Sequence, residues 1–113
     1  MPGSEIRAEK RERQLVISRL LTQHSLDGLP PRARATVQES MHRLYRKGLD
    51  AQPEDKEIGR IHLDWRDGIV ARTLKRKTLA RLSPKTLDDI RNALKMAHLR
   101  GFAKKQSVAA AED

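Results

Sequence analysis

The spacing of apolar residues along the chain predicts two amphipathic helices. The first is expected over residues 31–47, where intervals of four, four and three residues align Ala33, Val37, Met41 and Leu44 on one face. The second is expected from residue 84 to about residue 101, where similar spacing aligns Leu87, Ile90, Leu94 and Ala97. We expect these two stripes to form the core.

Turn and cap residues indicate where these helices begin and end. Pro31 and Pro84 suit the first turn of a helix, and Ser83 is a typical cap residue. Gly48 follows a turn rich in cations and is typical of a helix end, and Gly101 is expected close to the end of the last helix.

A first helix is predicted over residues 5–23, with Ser4 as its cap. Its first part, to residue 14, is nearly all charged, and we expect it to be partly frayed. Apolar residues appear only in the second half, at Leu15, Val16, Ile17, Leu20 and Leu21. Gly, Pro and Asp at residues 25–31 predict a turn before the next helix.

The middle of the chain is ambiguous. Residues 49–57 are polar, with a loop or a new helix start near Pro53. Residues 58–66 fit both strand and helix spacing, and we favour helix because no second convincing strand is present to pair with a first one. Gly68 is expected to break this helix, and another is expected over residues 69–82.

These segments predict an all-α single domain of four or five short helices, with a possible helix-turn-helix-like arrangement. Residues 1–14 form a charged, partly frayed helix start, residues 15–103 the helical domain, and residues 104–113 a polar Ala-rich tail that either continues the last helix or frays.

Charge narrows the expected partners. The formal net charge is +9, and charged residues make up 35% of the chain against about 25% in typical domains. Residues 1–57 carry a net charge of +2 and residues 58–113 carry +7. Cysteine is absent, and no apolar run is long enough to span a membrane or to serve as a signal peptide. We therefore expect a soluble cytoplasmic protein with a polyanionic or acidic partner.

One stretch, residues 68–87, contains no Asp or Glu. Its six cations are Arg72, Lys75, Arg76, Lys77, Arg81 and Lys85. Clustered positive charge attracts phosphate backbones and releases their counterions, whereas a charge run of this kind can also be only a solvated face. The high net charge favours the first interpretation.

Residues 82–87, Leu-Ser-Pro-Lys-Thr-Leu, resemble the start of the recognition helix in many helix-turn-helix regulators. The sequence also departs from that pattern. Lys77 stands where a small residue is expected, and Asp88 and Asp89 would repel phosphates. An ordinary cap and first turn therefore explain Ser83 and Thr86 better.

No enzyme chemistry is indicated. The four histidines are scattered singly, so we expect no metal and no cofactor, and the sequence contains neither a glycine-flanked nucleophile nor a phosphate-binding Gly-rich loop. Trp65 is expected to be a core or self-association anchor. The chain lacks the set of aromatic residues that single-strand readers use.

The preferred hypothesis is binding of double-stranded DNA through phosphate contacts, in transcription regulation or an accessory role. The six cations would supply charge, and Ser83 and Thr86 would supply hydrogen bonds. A homodimer is plausible, with an interface predicted at Leu15, Ile17, Leu20, Leu21 and Trp65. The alternatives are an adaptor or inhibitor that docks on an acidic protein surface, and an RNA-binding or ribosome-associated factor.

Overall fold

Four α-helices and one short 3-10 helix make up the residues that the computed structural model describes. These are residues 2–50 and 58–112, with side chains for residues 8–50 and 66–104. The α-helices are α1 (Pro2–Gln23), α2 (Pro31–Asp50), α3 (Ile58–Leu74) and α4 (Pro84–Glu112), and the 3-10 helix is Lys77–Leu79. These ranges contain no strand and pack around one core, which confirms the predicted all-α single domain.

The core lies mainly between α2 and α4, which form the most extensive contact between helices. Both predicted stripes face it, because Val37, Met41 and Leu44 of α2 and Ile90 and Leu94 of α4 are fully buried. Leu87 at the start of the second stripe is half-buried. The second half of α1 completes this core with Ile17, Leu20 and Leu21.

The end of α1 is fixed by a turn in which Ser25 adopts the left-handed conformation, with φ of 58°. The amide of Leu26 donates to the carbonyl of Leu21 at 2.7 Å, and the amide of Ser25 donates to the carbonyl of Thr22 at 3.1 Å. This pair of bonds is a Schellman motif, and the two residues that usually make its apolar contact, Leu21 and Leu26, are both buried in the core cluster. The predicted turn therefore also contributes a buried side chain, Leu26, to the core.

The predicted end of α2 at Gly48 is wrong, whereas continuation of the last helix into the tail was one of the two expected outcomes. Neither glycine lies at a helix end, and the reason is the same for both. α2 continues past Gly48 to Asp50, and α4 continues past Gly101 through the predicted tail to Glu112. A Cβ atom added at Gly48 would lie 2.6 Å from the backbone nitrogen of Phe102, and one added at Gly101 would lie 2.9 Å from the carbonyl carbon of Tyr45. The two glycines allow the helix backbones to approach each other, so they mark a crossing and not two helix ends.

Residues 58–66 are helical, as favoured, but the rest of the prediction for this region is wrong. α3 runs through Gly68 without a break and ends at Leu74, eight residues before the predicted end at residue 82. The chain then turns into the 3-10 helix, which places Leu79 in the core with no exposed surface. A straight helix from residue 69 to residue 82 would not make this turn. The predicted helix start near Pro53 lies outside the described residues.

Helix starts were predicted with more success. Pro31 lies in the first turn of α2, where the amide of Arg34 donates to the carbonyl of Pro30 at 2.8 Å. α4 begins at Pro84 directly after Ser83. Ser4 is not a cap, because α1 begins two residues earlier at Pro2, a residue that suits a first turn.

Candidate nucleic-acid interface

The six predicted cations lie along the end of α3, the connection that follows it and the start of α4. Arg72 lies in the last turn of α3 and Lys85 in the first turn of α4, and the other four lie between these helices. All six side chains are exposed. We name this set the basic connection: Arg72, Lys75, Arg76, Lys77, Arg81 and Lys85.

The basic connection is held in place by apolar burial and by hydrogen bonds to α2. Leu79 is fully buried, and Leu74, Leu82 and Leu87 pack partly buried against the same core. The hydroxyl oxygens of Thr78 and Thr36 lie 2.8 Å apart, and those of Thr73 and Ser40 lie 3.0 Å apart. The cations therefore stand on backbone whose position is fixed relative to α2.

Ser83 and Thr86 form the cap of α4. The amide of Thr86 donates to Oγ of Ser83 at 3.2 Å, and the two hydroxyl oxygens lie 2.8 Å apart. This is the ordinary cap that the sequence favoured, and DNA contact by these hydroxyls stays a prediction. The connection of residues 75–83 is also longer than the three- or four-residue turn of a helix-turn-helix.

The structure adds α2 cations to this surface. Arg43 and Arg76 line one small groove, which we name the linking groove, together with Thr36, Glu39 and Ser40. The sequence indicated only a role for Arg43, Arg46 and Lys47 in ending a helix. The position of Arg43 beside Arg76 depends on the packing of α2 against residues 73–79, which local spacing does not reveal.

A larger groove lies beside the linking groove, with lining residues from α2 and α1. We name it the α1–α2 groove, and it is lined by Arg13, Glu39, His42, Arg43, Arg46, Lys47 and Asp50. Glu39 and Arg43 line both grooves, so the two grooves lie next to each other. Within the described part of the chain, no hydrogen bond or ion pair holds the guanidinium groups of Arg43, Arg46 or Arg76.

His42 joins the two helices that border the α1–α2 groove. Nε of Arg13 donates to Nδ1 of His42 at 3.0 Å. Partial burial, followed by the charges of Arg13 and Lys10, holds the pKa of His42 below its ordinary value. The imidazole is therefore mainly neutral at pH 7, and the neighbouring cations favour that state.

Acidic residues near this surface are few. Glu39 and Asp50 lie in the α1–α2 groove, and Asp88 at the start of α4 lies 3.6 Å from Arg91 in an exposed ion pair. Asp88 and Asp89 also stand in the first turns of α4, where carboxylates are favoured by the helix dipole. Cations therefore outnumber carboxylates on the surface formed by the basic connection and the two grooves.

The residues predicted for a self-association interface differ in how far the structure exposes them. Ile17, Leu20 and Leu21 are 1% exposed and form part of this chain's own core, so they are not surplus apolar surface. Leu15 is 58% exposed. The side chain of Trp65 lies outside the described residues.

The described residues contain no group of three or more His, Asp or Glu side chains that could hold a metal ion. His98 is buried, His24 is half-buried, and the side chain of His62 is outside the described range. None of the helices searched within that range is long and apolar enough to cross a membrane.

Comparison of this chain with models of known protein families, with characterised proteins and with solved structures found no match. The proposal that follows therefore depends on the site alone.

Proposed function

We propose that the chain binds double-stranded DNA mainly through the phosphate backbone, in a regulatory or accessory role. The observation that carries this proposal is the position of the basic connection. Its six exposed cations stand on a segment anchored by Leu79 and by the hydroxyl contacts of Thr73 and Thr78 to α2. Cations on a fixed backbone bind phosphates with a smaller loss of conformational entropy than cations on a disordered tail.

The added α2 cations support the same proposal. Arg43 lies in one groove with Arg76, and Arg46 extends the positive surface along α2. Arginine side chains suit this role because their planar guanidinium groups bind phosphate oxygens in a bidentate way. The surface thus offers phosphate contacts from two chain segments that are distant in sequence.

We favour duplex DNA over single strands as the partner because few aromatic rings lie at the described surface. Of the aromatic side chains that the structure describes, Tyr45 is 2% exposed and Phe102 is half-buried. Proteins that read single strands stack bases on exposed rings. Regular phosphate spacing is the feature that a purely basic surface recognises.

Binding to labelled duplex, single-stranded DNA and RNA of equal length, measured by fluorescence anisotropy across a salt series, tests this proposal. The logarithm of the binding constant should fall with the logarithm of salt concentration, by about 0.9 for each neutralised phosphate of a duplex. The double variant Arg76→Ala/Lys77→Ala should weaken duplex binding and reduce this slope by about 0.9 for each phosphate that the variant no longer neutralises.

Arg19 and Arg100 provide the matched control. Both are exposed, and they line a separate groove between α1 and α4. The double variant Arg19→Ala/Arg100→Ala removes the same charge and should leave the slope unchanged. The absence of duplex binding at 50 mM salt, about the lower end of the salt concentrations usually compared, would contradict the proposal and favour an acidic protein partner. Tighter binding to RNA would favour the RNA-binding alternative.

Self-association is a separate part of the proposal. Among the side chains of the predicted interface that the structure describes, Leu15 is the exposed one, so a homodimer through α1 should be weakened by Leu15→Glu. Sedimentation of the wild-type chain as a monomer at all concentrations would contradict the dimer and leave DNA binding unaffected.

A further inference from the structure

The α1–α2 groove has the composition of an anion site and is separate from the basic connection. Three of its cations, Arg43, Arg46 and Lys47, come from the exposed side of α2, and Arg13 comes from α1. Two carboxylates, Glu39 and Asp50, oppose them, so positive charge remains in excess. A groove with excess positive charge between two packed helices concentrates anions more strongly than the same charges on a flat surface.

His42 gives this groove a property that the basic connection lacks. Nδ1 of His42 accepts a hydrogen bond from Arg13, so the proton of the neutral ring is on Nε2. A charged imidazolium has a proton on both nitrogens, so protonation removes the acceptor that Arg13 uses. Arg13 and Lys10 on α1 oppose protonation of the ring. The other charged residues that line the groove are the cations Arg43, Arg46 and Lys47 and the carboxylates Glu39 and Asp50, all on α2.

We propose that the α1–α2 groove is a second phosphate-binding site, in which Arg13, Arg46 and His42 contact a phosphate of the same nucleic acid that the basic connection binds. Phosphate oxygens accept hydrogen bonds from both a guanidinium group and an imidazolium. A bound phosphate therefore replaces the contact between Arg13 and His42 with two contacts of its own. Its negative charge also stabilises the protonated ring, so binding takes up a proton.

The assignment of this phosphate to a nucleic acid rests on the proposed function. The position of the two grooves beside each other supports a single nucleic acid that contacts both. Glu39 and Arg43 line both the linking groove and the α1–α2 groove, and Arg76 lies in the linking groove. A phosphate backbone that contacts Arg76 can continue over Arg43 into the α1–α2 groove. A free phosphate offers the same oxygens, and the experiment separates the two sources.

Duplex affinity measured between pH 5.5 and pH 8 at constant salt tests the second site. The wild-type chain should bind more tightly as the pH falls through this range, by up to about tenfold per pH unit for one linked proton. His42→Gln should lose this pH dependence, and Arg46→Ala should reduce the salt slope at pH 7 by about 0.9. His24→Gln is the matched control, because His24 is half-buried outside both grooves, and it should bind as the wild type does.

Equal pH dependence in His42→Gln and the wild type would overturn the second site while leaving the proposed function intact. If the wild type binds no duplex, the proposed function fails, and a titration with inorganic phosphate still tests the groove. Shifts of the His42 ring signals in NMR spectra on addition of inorganic phosphate would support the site with a free phosphate as its ligand. Unchanged ring signals with both duplex and inorganic phosphate would overturn it.

Discussion

The substitution Gly101→Ala tests the crossing of α2 and α4 most sharply. A Cβ atom at position 101 would lie 2.9 Å from the carbonyl carbon of Tyr45 and 3.1 Å from its Cα atom, and it would approach the carbonyl oxygen more closely still. All three are backbone atoms of α2, so no rotation of a side chain relieves the contact. The helices must move apart or the helix axes must tilt.

Two effects of opposite sign determine the size of the change. Overpacking of a close contact costs about 1–3 kcal/mol, and backbone neighbours place this site in the upper part of that range. Replacement of Gly by Ala inside a helix contributes about 1 kcal/mol of stability in return. We expect Gly101→Ala to lower the free energy of unfolding by about 1–2 kcal/mol, which corresponds to a fall in Tm of about 4–8 °C for a chain of this length.

Gly68→Ala is the matched control. Gly68 is also helical, in α3, but an added Cβ atom there would meet no atom within 4 Å. Only the helix propensity remains, so this variant should gain about 0.5–1 kcal/mol. Urea denaturation and thermal melting, both followed by circular dichroism, measure the two changes. A Gly101→Ala variant as stable as Gly68→Ala would refute the close approach of α2 and α4.

Three further substitutions test the parts of the fold that position the cations. Ser83→Ala removes the cap of α4 and should cost about 1 kcal/mol in urea denaturation, whereas Ser18→Ala on the exposed face of α1 should change stability little. Leu79→Ala should cost about 2–5 kcal/mol because it removes most of a fully buried side chain, while Leu99→Ala at an exposed position should stay within about 0.5 kcal/mol. Because the pKa of His42 is lowered in the folded chain, the unfolded chain binds more protons at this residue. The contribution of His42 to stability is therefore present above the ordinary pKa of 6.5 and is lost as the pH falls through the pKa of the folded chain. His42→Gln should remove that part of the pH dependence of the urea midpoint, and an unchanged dependence would contradict the lowered pKa of this partly buried ring.

The sequence predicted the parts of the fold that local patterns determine. The stripes of α2 and α4 follow from helical spacing, and the cap at Ser83 follows from residue type. Gly48 and Gly101 were misread because a glycine at a helix end and a glycine at a helix crossing look alike in sequence. The difference depends on a partner helix about 50 residues away, which no local pattern contains.

In the candidate site, too, the sequence predicted what local patterns determine and did not predict what depends on packing. The six cations of the basic connection were evident because acidic residues are absent around them. Arg43 and Arg46 were assigned only to the end of α2, since the position of Arg43 beside Arg76 and of Arg46 in one groove with Arg13 depends on packing between distant segments. Their spacing from Glu39, at four and seven residues, was the available signal, because it places all three on one side of a helix.

The central claim is that one continuous basic surface, formed by the basic connection and the exposed side of α2, binds duplex DNA. The most direct test is an NMR titration of the isotope-labelled chain with a short duplex, followed through the backbone amide signals. We predict that the shifted signals belong to residues 72–87 and 39–47, and that the groove lined by Arg19, Gln23 and Arg100 between α1 and α4 is unaffected. Shifts confined to that groove, or no shifts at low salt, would contradict the claim.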